Sequence, residues 1–301
     1  MLEIQRHSFK AMASNCEFIL GNLSAAEAKP LFLAAQDEVE RIEKKYSRYR
    51  EDSFLSQINN HPRGEPVCCD EETVSLLDKA DLLYRASDGL FDVTSGVLRR
   101  VWDFKQAKLP NAEALEQVLE LIDWRAVQRQ GNNVALLKDG MELDFGGFGK
   151  EYAADRAAAV LLEAGANSGY VNLAGDFHIL GPKPDRQPWS IGIRNPRQTD
   201  EVFASIPIDS GALATSGDYE RYFEFEGKRY CHILNARSGY PVSYWRSISV
   251  LAPTTLMAGG FSTIAMLLEE KGLEFLEQCG FPFIAIDHQG QVMHKSDSRT
   301  A

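Results

Sequence analysis

The sequence predicts an α+β fold, mainly antiparallel sheets with packed helices, and three observations carry that prediction. From residue 132 onward strand-like runs dominate: "NVALL", "ELDF", "GYVNLA", "WSIGIR", "VFASIPI", "RYFEFEG" and "SISVLA". Only two helical stretches, 149 to 164 and 253 to 267, interrupt them. The chain therefore lacks the regular strand–helix alternation that a parallel βαβ sheet requires.

Residues 2 to 9 and 16 to 21 read as strands joined around "KAMAS". A helix is expected from about Leu31 to Tyr46, because Leu31, Ala34, Ala35, Val39 and Ile42 share one face. Asp70 is the N-cap of a second helix, "EETVSLLDKADLLYRA", and a third amphipathic stretch covers 111 to 122. The stretch "PTTLMAGGFSTIAML" reads as a helix capped by Thr254 or Thr255. Gly259 and Gly260 fall in its early turns, where each costs about 1 kcal/mol relative to alanine, so the pair asks what it makes room for. No linker, low-complexity tract or internal repeat divides the chain, and a single domain over residues 1–301 is expected.

The 44% hydrophobic and 25% charged residues are those of an ordinary globular protein. A net charge of -11 argues against nucleic acid as the main partner, since phosphate backbones need clustered Lys and Arg. No apolar run approaches the roughly 18 to 20 residues that cross a bilayer, so no membrane insertion is expected. The start, "MLEIQRHSFKAMASNCEFIL", shows neither a signal peptide nor a lipobox. Five cysteines, with Cys68 and Cys69 adjacent, give no metal spacing and no disulfide framework. A reduced, cytoplasmic protein is expected.

Three segments are too rich in glycine and polar residues for plain core. In "SDGLFDVTSGVLRRVWDF", residues 87 to 104, Asp92 reads either as the N-cap after an Asp88-Gly89 turn or as a fixed acceptor for a polar heterocycle. In "ELDFGGFGKEYAADRAAAVLLEAGA", residues 142 to 166, a strand ends at Asp144, and glycines and Lys150 lead into a helix. Such a loop lets a phosphate approach backbone N–H groups, although it matches neither common phosphate-binding pattern; a bare strand-to-helix connection fits equally. Asp155 reads as structural or solvent-facing. In "ALATSGDYERYFEFEGKRYCHILNARSGYPV", residues 212 to 242, Thr215, Ser216 and Gly217 read as a polar loop, and Glu226-Gly227 as a hairpin turn. His232, on the returning strand and followed by Asn235, Arg237 and Ser238, is the best-placed candidate base. His61, His288 and His294 have surface-like surroundings, while His7 and His178 have no comparable polar cluster. Neither a nucleophile elbow nor an HExxH zinc motif is present.

Taken in order, the chain resembles the ApbE family of FAD:protein FMN transferases. The resemblance lies in "FKAMAS", "YSRYREDSFLSQIN", "GLFDVTSGVLRRVWDF", "LDFGGFGKEYAAD", "VNLAGD", "ATSGDYERYF" and "HILNARSGYPV". It implies a T-fold-like architecture and a Mg²⁺-dependent reaction that moves the FMN half of FAD to a Thr or Ser hydroxyl of a target flavoprotein, with release of AMP. By the resemblance, Met12, Tyr49, Leu90, Phe91, Asp92, Asp144, Lys150, His232 and Ile233 contact FAD, His232 is the catalytic base, and Gly147 and Thr263 bind the metal. Several positions depart from the family pattern. Gly259 stands where a metal-binding Asp is usual, and no acid lies between Leu256 and Leu268 to replace it. Ala13 and Ser14 replace Gly-Thr, Glu151 replaces the glycine after Lys150, Ala174 replaces the first glycine of Asn-x-Gly-Gly, and Ala236 replaces a proline. A weakened metal site is expected, which Gly259→Asp should strengthen. Two alternatives stand beside transfer: an FAD-binding member without transferase activity, and an FAD pyrophosphatase giving FMN and AMP.

Overall fold

In the computed structural model, residues 3–198 and 200–296 are described; Leu2, the first residue of the expected opening strand, lies outside them. The chain opens with the hairpin β1 (Ile4–Ala11) and β2 (Ser14–Gly21), then helices α1 (Ala25–Tyr46) and α2 (Phe54–Asn60). Next come β3 (Val67–Cys68), α3 (Glu71–Ala86), α4 (Ala112–Leu119), β4 (Val127–Gln130), β5 (Asn133–Leu136) and α5 (Gly149–Glu163). A run of strands follows: β6 (Gly169–Leu173), β7 (Asp176–Gly181), β8 (Trp189–Arg194), β9 (Val202–Ile208) and β10 (Gly211–Gly217). The chain continues through β11 (Tyr222–Phe225), β12 (Lys228–Cys231), β13 (Trp245–Ala252), α6 (Thr255–Leu267) and α7 (Gly272–Cys279). It closes with β14 (Phe283–Asp287) and β15 (Val292–Lys295).

Eight strands form one antiparallel sheet in the order β1-β2-β6-β7-β10-β13-β14-β15, so the α+β class is as expected. Successive side chains of a strand point to opposite faces, and the core divides accordingly. Phe18, Leu20, Val171 and Leu173 join the main core, to which α1, α5 and α6 contribute buried faces. Ile19 and Tyr170 point the other way, onto Trp189, Ile191 and Ile208 of the β8–β9 hairpin.

The local chemistry explains where the elements differ from expectation. Helix α1 starts at Ala25, six residues early, because Ser24 and Glu27 form a capping box; Pro30 is carried inside the helix. Asp70 caps α3, and Asn111 caps α4, as the residue types suggest. The expected strand "ELDF" is extended backbone without a ladder. Asn59 pairs both backbone groups of Leu143, at 2.7 and 2.9 Å, and the Asp144 N–H donates to Val93 O at 2.8 Å. That segment's polar groups are thus satisfied without a strand partner. Thr215, Ser216 and Gly217, expected as a loop, belong to β10 and pair with β13. The Glu226-Gly227 turn is present, with both residues at positive φ. Among the described residues no helix is long and apolar enough to cross a membrane.

Candidate active site

Helix α6 is held at its start by α5. The Asp155 carboxylate accepts the Thr255 and Leu256 N–H groups at 2.7 and 3.0 Å, and it also meets His178 Nδ1 at 2.7 Å. Thr254 adds its own cap to Met257 N. Asp155 is therefore structural, and His178, expected to lack polar neighbours, belongs to this anchor. The glycine pair of α6 serves close packing. A Cβ at Gly260 would lie 2.7 Å from Leu83 Cδ2 of α3, and one at Gly259 would lie 2.6 Å from Glu151 Cγ and 2.8 Å from Glu151 Oε1.

Beside this helix contact a cavity of about 310 Å³ opens. The Gly-rich loop 146–149 brings Asp144, Gly147 and Lys150 to its wall, and the segment after Gly89 brings Leu90, Phe91 and Asp92. The chain just past β12 adds His232 and Ile233, and α6 adds Thr263. Nine of the eleven residues singled out in the sequence therefore share one cavity. The other two are set apart. Tyr49 is 76% exposed, with its hydroxyl accepting from Arg99 Nη1 at 2.7 Å. Met12 lines an adjoining cleft of about 900 Å³, which shares Ser14, Ala174 and Thr215 with the first.

Several of these side chains already have protein partners. Asp92 is buried; its carboxylate accepts from the Thr94 N–H and hydroxyl at 2.7 and 2.6 Å, and from Trp124 N at 3.1 Å. Burial raises its pKa, against the pull of those donors. The carboxylate holds a turn, but Asp92 is not the expected N-cap: the short 3-10 helix Ser95–Arg100 has Thr94 at that position, with no side-chain cap bond. Asp144 binds Arg48 Nη1 at 2.9 Å and accepts the Gly146 N–H at 2.8 Å, which shapes the Gly-rich loop. Lys150 is ion-paired with buried Asp176 and reaches Leu173 O. Its charge sits at the cavity wall as a partnered cation rather than a free one.

Among the described residues, two buried side-chain atoms of the cavity lining, one on His232 and one on Glu151, have no hydrogen-bond partner. His232 donates its backbone N–H to Arg221 O at 2.9 Å, yet its ring Nδ1 is buried and unbonded. Burial, with Arg221 and then Arg99 adding like charge, pushes the imidazole pKa down to about 4. At neutral pH the ring is uncharged and able to accept a proton. The second group is the Glu151 carboxylate, 8% exposed, whose Oε2 has no hydrogen-bond partner. Burial raises its pKa. Nearby, Ser216 Oγ lies 3.0 Å from Thr263 Oγ1 and 2.8 Å from Ser262 Oγ.

Sequence reasoning gave no site role to Glu151, Asp176, Ser216 or Arg99, all of which line the cavity. Asp176 and Ser216 stand inside the quoted "VNLAGD" and "ATSGDYERYF", so their position in those polar runs was the available signal. Glu151 carried a weaker one, an acid in the first turn after a Gly-rich loop.

The profile of the ApbE family matches residues 12–284. Curated relatives named FAD:protein FMN transferase include one from Haemophilus influenzae, 31% identical and covering 86% of this chain and 78% of its own. Another, from Treponema pallidum, is 30% identical and covers 85% and 78%. Among solved structures, the ApbE protein of Thermotoga maritima superposes with a TM-score of 0.89 at 31% identity, over 98% of this chain and 97% of that one. The apo form of the Pseudomonas stutzeri flavinyl transferase ApbE gives 0.86 at 28% identity, over 99% and 96%.

Proposed function

The chain belongs to the ApbE family, and on that premise we propose that it is an FAD:protein FMN transferase that flavinylates a Thr or Ser hydroxyl of a target flavoprotein. The observation that carries this reading is the unbonded Nδ1 of a neutral His232 in the cavity shared with Asp144, Lys150 and Thr263. The acceptor oxygen attacks the phosphorus of the FMN half. The new O–P bond forms as the bond to the AMP oxygen breaks, AMP leaves with that electron pair, and His232 takes the hydroxyl proton. Tyr49, whose hydroxyl accepts from the cavity-lining Arg99, offers an exposed ring for stacking. Leu90, Phe91 and Ile233 supply apolar wall, and the adjoining cleft with Met12 gives a dinucleotide room to extend.

A divalent cation fits the oxygen-rich wall, where a buried carboxylate oxygen is left without a partner. The Gly147 carbonyl and the Thr263 hydroxyl would hold Mg²⁺. When bound, the ion neutralises charge that develops on the pyrophosphate as its bond breaks. We place the reaction in the cytoplasm, a reading that the five free cysteines support.

Titration of FAD with and without Mg²⁺, followed by an assay for free AMP, tests the proposal. Transfer predicts FAD binding strengthened by Mg²⁺ and AMP released only when an acceptor protein is added. Mg²⁺-indifferent binding without AMP would make the chain a flavin-binding module, and AMP without acceptor would make it a pyrophosphatase.

A further inference from the structure

Two departures from the family pattern lie far apart in sequence, an acid at 151 and a glycine at 259, and the fold brings them into contact. The space that a side chain at 259 would need is filled by Glu151: a Cβ built there meets Glu151 Cγ, Oε1 and Cδ at 2.6, 2.8 and 3.0 Å. The carboxylate that reaches α6 at this point therefore comes from α5. It is more than nine-tenths buried and lines the cavity, and its Oε2 has no partner. Lys150, the adjacent cation, is taken by Asp176. An unpaired buried carboxylate is costly unless a cation completes it.

We propose that Glu151 is the carboxylate ligand of the divalent cation in this chain, supplied by α5 into the space that Gly259 leaves open on α6. The remaining donors lie on the same wall. Thr263 is one helical turn beyond Gly259, on the same face, and its hydroxyl is 3.0 Å from that of Ser216. Carboxylate, hydroxyl and carbonyl oxygens form a hard donor set of the kind Mg²⁺ and Mn²⁺ prefer. The exchange also changes what Gly259→Asp should do. With Glu151 in place, the new side chain would collide with it and put two carboxylates into one buried site, so the substitution alone adds no metal affinity.

This inference rests on the transfer reading, so its test separates the two. Mn²⁺ is titrated into the full chain with saturating FAD and read by the loss of the free-ion EPR signal, alongside thermal unfolding in metal-free buffer. Glu151→Gln is expected to weaken Mn²⁺ binding by at least about tenfold while metal-free FAD binding stays at the wild-type level. Gly259→Asp is expected to lower Tm by about 5 °C without tightening Mn²⁺ binding. The double variant E151G/G259D is expected to regain most of the Mn²⁺ affinity that E151G loses. Wild-type Mn²⁺ affinity in Glu151→Gln would overturn the inference and leave the transfer reading intact. A wild-type chain that binds no Mn²⁺ and releases no AMP to an acceptor would overturn both.

Discussion

Enclosure of the His232 ring, with Arg221 and Arg99 nearby, keeps it neutral. A neutral imidazole is already in the base form, so replacing it by Asn should lower kcat by about 10²–10⁴-fold, far more than it changes FAD affinity; steady-state kinetics with an acceptor protein checks this. The same shift has a sign for stability. The unfolded ring titrates near about 6.5, whereas in the fold its pKa is about 4. Between those values the unfolded chain holds a proton that the native chain refuses, so stability falls as pH drops through the window. His232→Asn should remove that part of the slope, measurable by urea denaturation at pH 7 and at pH 5. Two alanines flagged in the sequence also gain a physical meaning. Ala13 (φ 56) and Ala174 (φ 57) both occupy left-handed turn positions beside the larger cleft, where glycine would sit without strain.

The pairing of α5 with α6 is the contact on which the cavity depends. One side chain, Asp155, accepts two N–H groups at the start of α6 and meets His178 of β7. Asp155→Ala should cost about 2–3 kcal/mol, a lost cap together with charge-assisted bonds, seen as a lower urea midpoint at unchanged slope. Much at this scale was legible in the sequence: caps at Asp70 and Thr254, the Asp88-Gly89 and Glu226-Gly227 turns, and helices with regular apolar spacing. What escaped depended on partners distant in the chain. "ELDF" has the residues of a strand, yet Asn59 and Val93 take its backbone groups. Local spacing equally gave His178 of β7 no polar company, because Asp155 comes from α5, 23 residues earlier in the chain. The glycines at 259 and 260 were visible, but their tenants, Glu151 and Leu83, were not.

Over the whole molecule, the eight-stranded sheet and its helices gather the end of β12, the Gly-rich loop and α6 around one cavity, with a larger cleft adjoining. The ordered run of motifs made the site's membership largely readable. The occupancy of each side chain was not: Asp92 holds a turn, Lys150 is paired with Asp176, and Glu151 lies against Gly259. These are facts of apposition, and a pattern compared position by position treats residues 151 and 259 as unrelated changes. The central claim, transfer of FMN to a hydroxyl, is tested most directly by intact mass spectrometry of an acceptor flavoprotein incubated with this chain, FAD and Mg²⁺, with AMP counted in the same sample. The account predicts an acceptor heavier by one FMN moiety and one AMP for each adduct; AMP without an adduct, or neither product, would contradict it.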